Sequence, residues 1–304
     1  MLARSRFSTR CRLLGAAALA LFTLAPAAAE AQWRSKFQGN RLAGEFDWWG
    51  TKRSNSLTWG FIGQIELVET VHLDFDFPLT YGTYDIGFDL DGDSNELDAF
   101  ALGNPTVGVH YADTLTRNFA LLAGGTISVS PNLDPDLDTY FATALGSASR
   151  AGFDQHRLRS EYLFIRPRVG IEVRFASVFY YRGDLCPVIW IPIGEDNDFG
   201  LLDPGNDAQL VIDQGNELEV RANIGVGGGL RFQQVLSPTA DDGNILDDNA
   251  VDRAQTALEP YFVYEPDRGF TARIGLMVAL DEPLGFGFNR NEVATLRVQL
   301  GGKW

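Results

Sequence analysis

Apolar and polar side chains alternate along most of the chain after residue 40, and this period of two predicts β-strands rather than helices. The longest alternating run predicts one strand over 218–232, with aliphatic residues on one face and Arg, Glu and Gly on the other. Clear alternation also covers 57–77, 105–111, 119–129, 163–175 and 270–280, and weaker alternation covers 41–49, 81–88, 178–193, 207–213, 257–264 and 293–304. We find no convincing amphipathic helix, so the chain is predicted to be all-β.

The count of strands depends on two segments. The run over 57–77 is either one very long strand or a hairpin broken near Glu69–Thr70. The stretch 207–213 is predicted as a short strand followed by a turn at 214–216. We count about twelve strands if 57–77 is one strand, within a range of about ten to fourteen.

Strand length and polar-face chemistry favour an antiparallel transmembrane β-barrel over a sandwich. Ordinary strands average about five or six residues. Strands of about ten residues or more that are apolar outside and charged inside are typical of barrels with a water-filled lumen. The connections also differ in composition: the first three Asp-rich ones are expected outside the cell, and the short ones at the periplasmic side. The Asp-rich stretches are 85–98, 131–154, 194–207 and 241–252, and the short ones are 112–117 and 265–269.

The first 31 residues have the pattern of a secretory signal peptide. Four arginines precede an almost wholly apolar stretch over 13–24, and Ala29-Glu30-Ala31 supplies a cleavage site. We therefore predict a signal peptide over 1–31 and a single barrel domain over 32–304. Cleavage removes Cys11 and leaves Cys186, which excludes an intramolecular disulfide.

The acidic composition of the chain argues against nucleic-acid binding. Lysine and arginine number 25 against 40 acidic residues, a formal net charge of −15. Attraction to a phosphate backbone cannot dominate binding by such a chain, so we expect no nucleic-acid partner.

The last nine residues alternate and end on an aromatic side chain. They resemble the assembly signal of Gram-negative outer-membrane β-barrel proteins, although Gly302 replaces the frequent aromatic residue at the third-last position. The resemblance implies a location in the outer membrane, with its lipid, its lipopolysaccharide and the barrel-assembly machinery as partners. In that family the machinery would read Leu296, Val298, Leu300 and Trp304. A second segment, 103–111, resembles a Gly-Asn/Asp-x-x-x-Gly-x-x-Tyr strand of some outer-membrane transporters linked to aromatic-compound breakdown, and implies a transport role.

Charged residues on the polar faces are candidates for the lumen lining. Opposed charges in a wet pore screen solutes by charge and size, whereas charges that pair with one another brace or plug the lumen. Both possibilities are open at this point. The candidates are Arg166, Arg168, Glu172, Arg174, Glu217, Glu219, Arg221, Arg231, Arg273 and Arg297.

One acidic stretch resembles a calcium loop. Asp89, Asp91 and Asp93 place carboxylates at alternate positions, as cation-binding loops do, but Phe100 occupies the twelfth position where an EF-hand has Glu. Ca²⁺ or Mg²⁺ bound there, bridging lipopolysaccharide phosphates, is one hypothesis, and a solvated acidic loop is the other. No other cofactor is predicted.

The functional prediction is a passive channel or transporter for small solutes, with no enzymatic activity. His72, His110 and His156 lie in no Ser-His-acid motif. The first alternative is a non-conducting structural or surface-interaction barrel whose acidic loops bind cations or lipopolysaccharide. The second is a secreted, soluble β-sandwich that acts as a binding module.

Overall fold

The protein's computed structural model describes residues 36–51, 54–85, 96–150, 153–176, 178–194, 208–222, 224–236, 254–280 and 294–304. Thirteen strands and one α-helix form from these residues. The strands are β1 (Arg41–Gly50), β2 (Ser54–Val68), β3 (Val71–Asp85), β4 (Glu96–Leu102), β5 (Thr106–Thr116), β6 (Phe119–Val129), β7 (Tyr162–Phe175), β8 (Phe179–Pro192), β9 (Gln209–Arg221), β10 (Val226–Leu236), β11 (Ala254–Tyr264), β12 (Gly269–Ala279) and β13 (Ala294–Lys303). The helix is α1 (Leu137–Ser149), and a 3₁₀ turn follows at Gln155–Arg157.

The strands close into one antiparallel barrel. Each wall strand pairs with its neighbours in the chain, and β1 pairs with both β2 and β13, with Arg41 opposite Lys303. Strands β4 and β5 pair with successive parts of β3, so together they make one wall strand that is interrupted at 103–105. The barrel therefore has twelve wall strands, as predicted, and the sandwich alternative is wrong.

The outward faces of the strands are apolar. Phe61 is 55% exposed, Leu218 53% and Val169 52%, and comparable side chains project outward from every part of the wall. A closed barrel pairs its own backbone polar groups, and a belt of exposed aliphatic and aromatic side chains is stable only against lipid. The protein is thus a membrane-spanning barrel of the outer-membrane kind.

The two ends of the barrel differ in their connections. At the turn end, connections at 69–70, 117–118, 176–178, 222–225 and 265–268 join the strands tightly. Longer connections, above all 130–161, occur at the loop end. Short turns face the periplasm in outer-membrane barrels, so the turn end is the periplasmic end.

Two of the predicted strands have different boundaries in the structure. The run 218–232 is divided by a tight turn at 222–225, where Gly225 adopts a φ of +87° and its N–H donates to the Ala222 carbonyl. This turn contains an even number of residues, so the alternation passes through it unchanged. Strand β9 continues to Arg221, so the turn predicted at 214–216 is wrong. The run 57–77 is the hairpin of β2 and β3.

Other boundaries also required correction. The segment 81–88 is not a separate strand, because β3 runs without a break to Asp85. The predicted connection 112–117 is mostly β5, which extends to Thr116. Strand β4 was not predicted.

Helix α1 contradicts the prediction that the chain has no helix. Asp136 caps its first turn by accepting a hydrogen bond of 2.9 Å from the Thr139 backbone N–H. The helix is rich in small residues and is buried over much of its surface, so it lacks the polar face that defines an amphipathic pattern. Within the described residues, no helix is long and apolar enough to cross a membrane.

A mid-strand proline, Pro167, is accommodated by a second proline. Strands β7 and β8 are in register at Ile165 with Ile189 and at Val169 with Leu185, which places Pro167 opposite Pro187. Neither proline has an N–H to donate, so the ladder is interrupted once instead of twice.

Candidate functional site inside the barrel

A segment that precedes β1, residues 36–40, lies inside the barrel at its turn end; we call it the N-terminal segment. Its lysine, Lys36, places Nζ 2.9 Å from Glu219, 3.0 Å from Glu265 and 3.4 Å from Glu217. The Phe37 side chain is buried with Ala112 of β5 and Leu122 of β6. The segment therefore occupies the lumen.

Wall side chains hold the backbone of the N-terminal segment. The buried Gln64 amide donates to the carbonyl oxygens of Phe37 and Gly39, at 2.9 and 3.0 Å. Gly39 in turn donates its N–H to His72 Nε2 at 3.1 Å, and His110 Nε2 lies 2.9 Å from the Phe37 oxygen. Hydrogen bonds to the main chain, rather than apolar burial alone, thus fix this segment.

His72 and His110, for which the sequence analysis proposed no role, both contact the backbone of the N-terminal segment. The rings of His72 and His110 stack at a centroid distance of 4.9 Å. His72 Nε2 faces an N–H and must accept, so that ring nitrogen carries no proton. His110 lies between two oxygen atoms, with Nδ1 2.5 Å from the Asp74 carboxylate and Nε2 2.9 Å from the Phe37 carbonyl oxygen.

The connection between β6 and β7, residues 130–161, enters the lumen from the loop end; we call it the inward loop. Helix α1 packs on inward-facing wall positions, where Gly82 and Gly146 leave room for the contact. Arg150 pairs with Asp47 and lies 2.9 Å from Glu45 on β1. The loop therefore reaches from the β3–β4 side of the wall across to β1.

The break in the wall between β4 and β5 anchors this loop. Asn104 is fully buried, and its side-chain amide donates to the carbonyl oxygens of His156 at 3.0 Å and Arg159 at 2.7 Å. Its backbone N–H donates to the Arg157 oxygen at 2.6 Å. The segment that resembled a transporter strand thus positions the inward loop.

His156, in the same loop, is a neutral acceptor. Arg166 donates from Nη1 to His156 Nε2 at 2.6 Å. Burial, followed by the charge of Arg166, holds the pKa of His156 well below its ordinary value. Both observations agree on an unprotonated ring.

The lumen near the loop end is apolar, whereas the sequence analysis expected charged inward faces. Arg159 lies over the rings of Tyr162 and Trp190, at 4.9 and 5.0 Å from their centroids. Aromatic and aliphatic side chains from both the wall and the inward loop form one buried cluster there. Its members are Phe153, Tyr162, Phe164, Cys186, Val188, Trp190, Val211, Val235, Ala257, Met277 and Ala279.

The charged candidates from the sequence all lie on inward-facing positions, and most of them form ion pairs. Glu219 contacts Lys36, Arg182 and Arg221, and Arg182 also lies 3.2 Å from Glu172. The Arg174 guanidinium carbon lies 5.8 Å from the Tyr180 ring centroid. Most of the candidate lumen charges therefore pair with one another, which is one of the two alternatives given in the sequence analysis.

A continuous chain of pairs links the two segments that enter the lumen. Arg273 donates to Glu217 at 3.0 Å and to Glu259 at 3.1 Å. Arg297 donates to Glu259 at 3.0 Å and to Asp47 at 3.1 Å. Because Glu217 also contacts Lys36 and Asp47 also contacts Arg150, charges connect the N-terminal segment to the inward loop.

Between the two segments is a cavity of about 390 Å³. Lys36 and Phe37 border it from the turn end and His156 from the loop end. Its volume falls within the range of about 300–1,000 Å³ that small-molecule sites occupy. The lumen therefore retains space for a small solute.

The remaining predicted sites are placed as follows. Asp89, Asp91 and Asp93 lie outside the described residues, and no group of three or more potential metal ligands occurs in the part that the structure describes. On β13, Leu296 and Leu300 project outward at 37% and 44% exposure. Val298 shares that face by alternation, and Trp304 follows at 58%. Their role as an assembly signal stays a prediction.

Comparisons with known proteins identify the fold class. No protein-family model and no curated protein matches the sequence. The fold is similar to that of an outer-membrane channel from Pseudomonas putida F1, with a TM-score of 0.58 and 11% identity over 90% of this chain and 99% of that one. The fold also matches the NanC porin, with a TM-score of 0.46 and 8% identity over 88% of this chain and 99% of that one. It matches OmpF of Salmonella typhi with a TM-score of 0.35 and 8% identity over 87% of this chain and 96% of that one. The protein is an outer-membrane β-barrel, and at such identities the similarity extends to the fold alone.

Proposed function

We propose that the protein is a passive channel for small solutes, and that the structure is its closed state. The observation that carries this proposal is the cavity of about 390 Å³ between the N-terminal segment and the inward loop. A barrel built only for structure has no need of a retained cavity, because side chains fill the interior of a narrow barrel.

The way the N-terminal segment is held supports opening by its displacement. It is bound mainly through hydrogen bonds and the ion pairs of Lys36, and water can replace such contacts when the segment leaves. Phe37 is its main apolar anchor. The two ends of the lumen then differ, because a large apolar cluster lies beneath the inward loop, whereas the N-terminal segment has a small one of Phe37, Ala112 and Leu122.

The paired lumen charges favour a second candidate, a non-conducting barrel that presents its loops at the cell surface. Glu217, Glu219 and Glu259 each contact at least two cations, which braces the wall. In this function the acidic loops would bind divalent cations or lipopolysaccharide. Outer-membrane lipid and the barrel-assembly machinery are proposed partners under either candidate.

Single-channel recording separates the two candidates. The wild-type protein and a variant with residues 36–40 deleted are purified as folded, heat-modifiable barrels and inserted into planar bilayers. A channel gives rare openings in the wild type and steady steps of defined size in the deletion variant. Silence from both folded proteins supports the non-conducting barrel and ends the channel proposal.

A further inference from the structure

The charge of the cavity has the opposite sign to that of the protein. Of the residues that line it, nine carry a cationic side chain and seven a carboxylate, whereas the whole chain has a formal net charge of −15. A cavity inside a low-dielectric wall concentrates the field of such an excess. The solute that this cavity favours is therefore an anion.

Two of the cavity carboxylates, Glu217 and Glu265, each contact several cations. Glu217 contacts Lys36, Arg182 and Arg273, and Glu265 contacts Lys36 and Lys303. These acids have little charge left to offset further arginines. The positive excess must then be carried by arginines outside these clusters.

Two cavity arginines have such loose pairing. Arg168 on β7 lies 3.4 Å from Asp184, and its side chain is 43% exposed to the lumen. Arg231 on β10 lies 3.9 Å from Glu259, a carboxylate that Arg273 and Arg297 already contact at 3.1 and 3.0 Å. Both guanidinium groups border the same cavity and retain donors for a ligand.

An apolar surface lies next to Arg168. The Phe37 ring is 3.5 Å from the point where a Cβ on Gly170 would lie, and Gly170 pairs with Leu122 across the strands. The Phe37 ring therefore packs against β7 two residues from Arg168. A ligand whose anionic group reached Arg168 could rest its body on Phe37 and Leu122.

We propose that the cavity is a binding site for small organic monoanions with a short apolar body, such as short-chain carboxylates, and that Arg168 and Arg231 bind the anionic group. This deepens the proposed function by naming the solute class, and it rests on that function only for the role of the site in transport. Binding itself requires no conduction. The site and the channel can therefore fail separately.

Calorimetric titration tests the site with three probes of similar shape. Hexanoate, hexanamide and hexylammonium are each titrated into the purified full-length protein, with protein-free micelles as the blank. We expect hexanoate to bind and the amide and the ammonium ion to bind at least about tenfold more weakly, since only the anion gains charge-assisted hydrogen bonds. Acetate, which lacks the apolar body, is expected to bind more weakly than hexanoate.

Variants assign the residues. Arg168→Gln and Arg231→Gln are each expected to weaken hexanoate binding about tenfold, the loss of one charge-assisted contact. Arg268→Gln removes the same charge from an exposed periplasmic turn and serves as the matched control, with binding as in the wild type. Phe37→Ala should weaken hexanoate binding and leave acetate binding unchanged.

Three results would overturn the proposal. These are equal binding of hexanoate and hexanamide, unchanged binding in the Arg168→Gln/Arg231→Gln double variant, or no binding of any probe by folded wild-type protein. Hexanoate binding by a barrel that never conducts would refute the channel and leave the site standing. In a conducting deletion variant, the reversal potential in a salt gradient should show chloride preferred over potassium, and the double variant should lose that preference.

Discussion

Gln64 offers the simplest way to weaken the hold of the wall on the N-terminal segment. Its side chain is 2% exposed, and its amide donates two hydrogen bonds, to Phe37 O and Gly39 O. Gln64→Leu keeps the shape and removes both donors. Gln64→Glu also places carboxylate oxygens against the two carbonyl oxygens, so it should loosen the segment further.

The size of the effect follows from the number of bonds lost. A neutral intramolecular hydrogen bond contributes about 1 kcal/mol net, so the loss of two shifts the closed-to-open equilibrium by about 2 kcal/mol. Because about 1.4 kcal/mol corresponds to a factor of ten, the ratio of open to closed time in Gln64→Leu should rise about 30-fold.

Single-channel recording in planar bilayers measures this ratio directly. Gln233→Leu is the matched control, since Gln233 is also a buried, inward-facing glutamine but lies on β10. Open time should increase in the order wild type, Gln64→Leu, Gln64→Glu, with the control equal to the wild type. Equal open times in all four folded proteins would refute the reasoning.

Three further predictions follow from other contacts. Channel opening should increase as the pH falls from about 8 to about 5, because protonation of His72 turns the acceptor of the Gly39 N–H into a donor. His72→Gln should flatten this pH dependence in single-channel records, because the glutamine amide oxygen accepts at every pH. Arg150→Met should remove the ion pairs that join the inward loop to Asp47 and Glu45, which keep Arg297 and Arg157 as partners, and should loosen this loop. Cys186, which is 2% exposed, should then react faster with a maleimide, and an unchanged labelling rate would count against the anchor. Hydrogen bonds from the side chain and the backbone of Thr139 lower the pKa of Asp136. The Asp136 cap therefore stabilises helix α1 above the ordinary aspartate pKa, and this contribution is lost as the pH falls through the lowered pKa. Proteolysis of the inward loop at graded pH should show the loss in the wild type and not in Asp136→Ala.

The barrel could be predicted from the sequence because lipid imposes one rule on all outward positions. Leu218 and Val220 face outward while Glu217 and Glu219 face the lumen, so the alternation survives along β9. The same rule concealed the turn at 222–225, since an even number of residues preserves the alternation. Register and closure involve partners that are distant in the chain, and no local pattern specifies them.

The contents of the lumen could be predicted only in part. Inward-facing side chains do not contact lipid, so they can be charged or apolar, depending on which groups lie opposite them in the lumen. Val188 and Trp190 are inward and apolar because the inward loop covers them, and the one available signal was that both faces of β8 are apolar there. Lys36 precedes the first strand in a segment with no periodicity. Its role is visible only once three glutamates from separate positions converge on it.

The most direct test of the account tethers the N-terminal segment to the wall. Gln38 Oε1 lies 3.0 Å from the Thr114 hydroxyl, so Gln38→Cys and Thr114→Cys, in a Cys186→Ala background, can be joined by a short bifunctional methanethiosulfonate reagent. Openings of the untethered double variant should disappear on tethering and return when a reductant releases the link. Equal conductance with the tether in place would show that the solute path does not pass this segment, and would contradict the proposed gate.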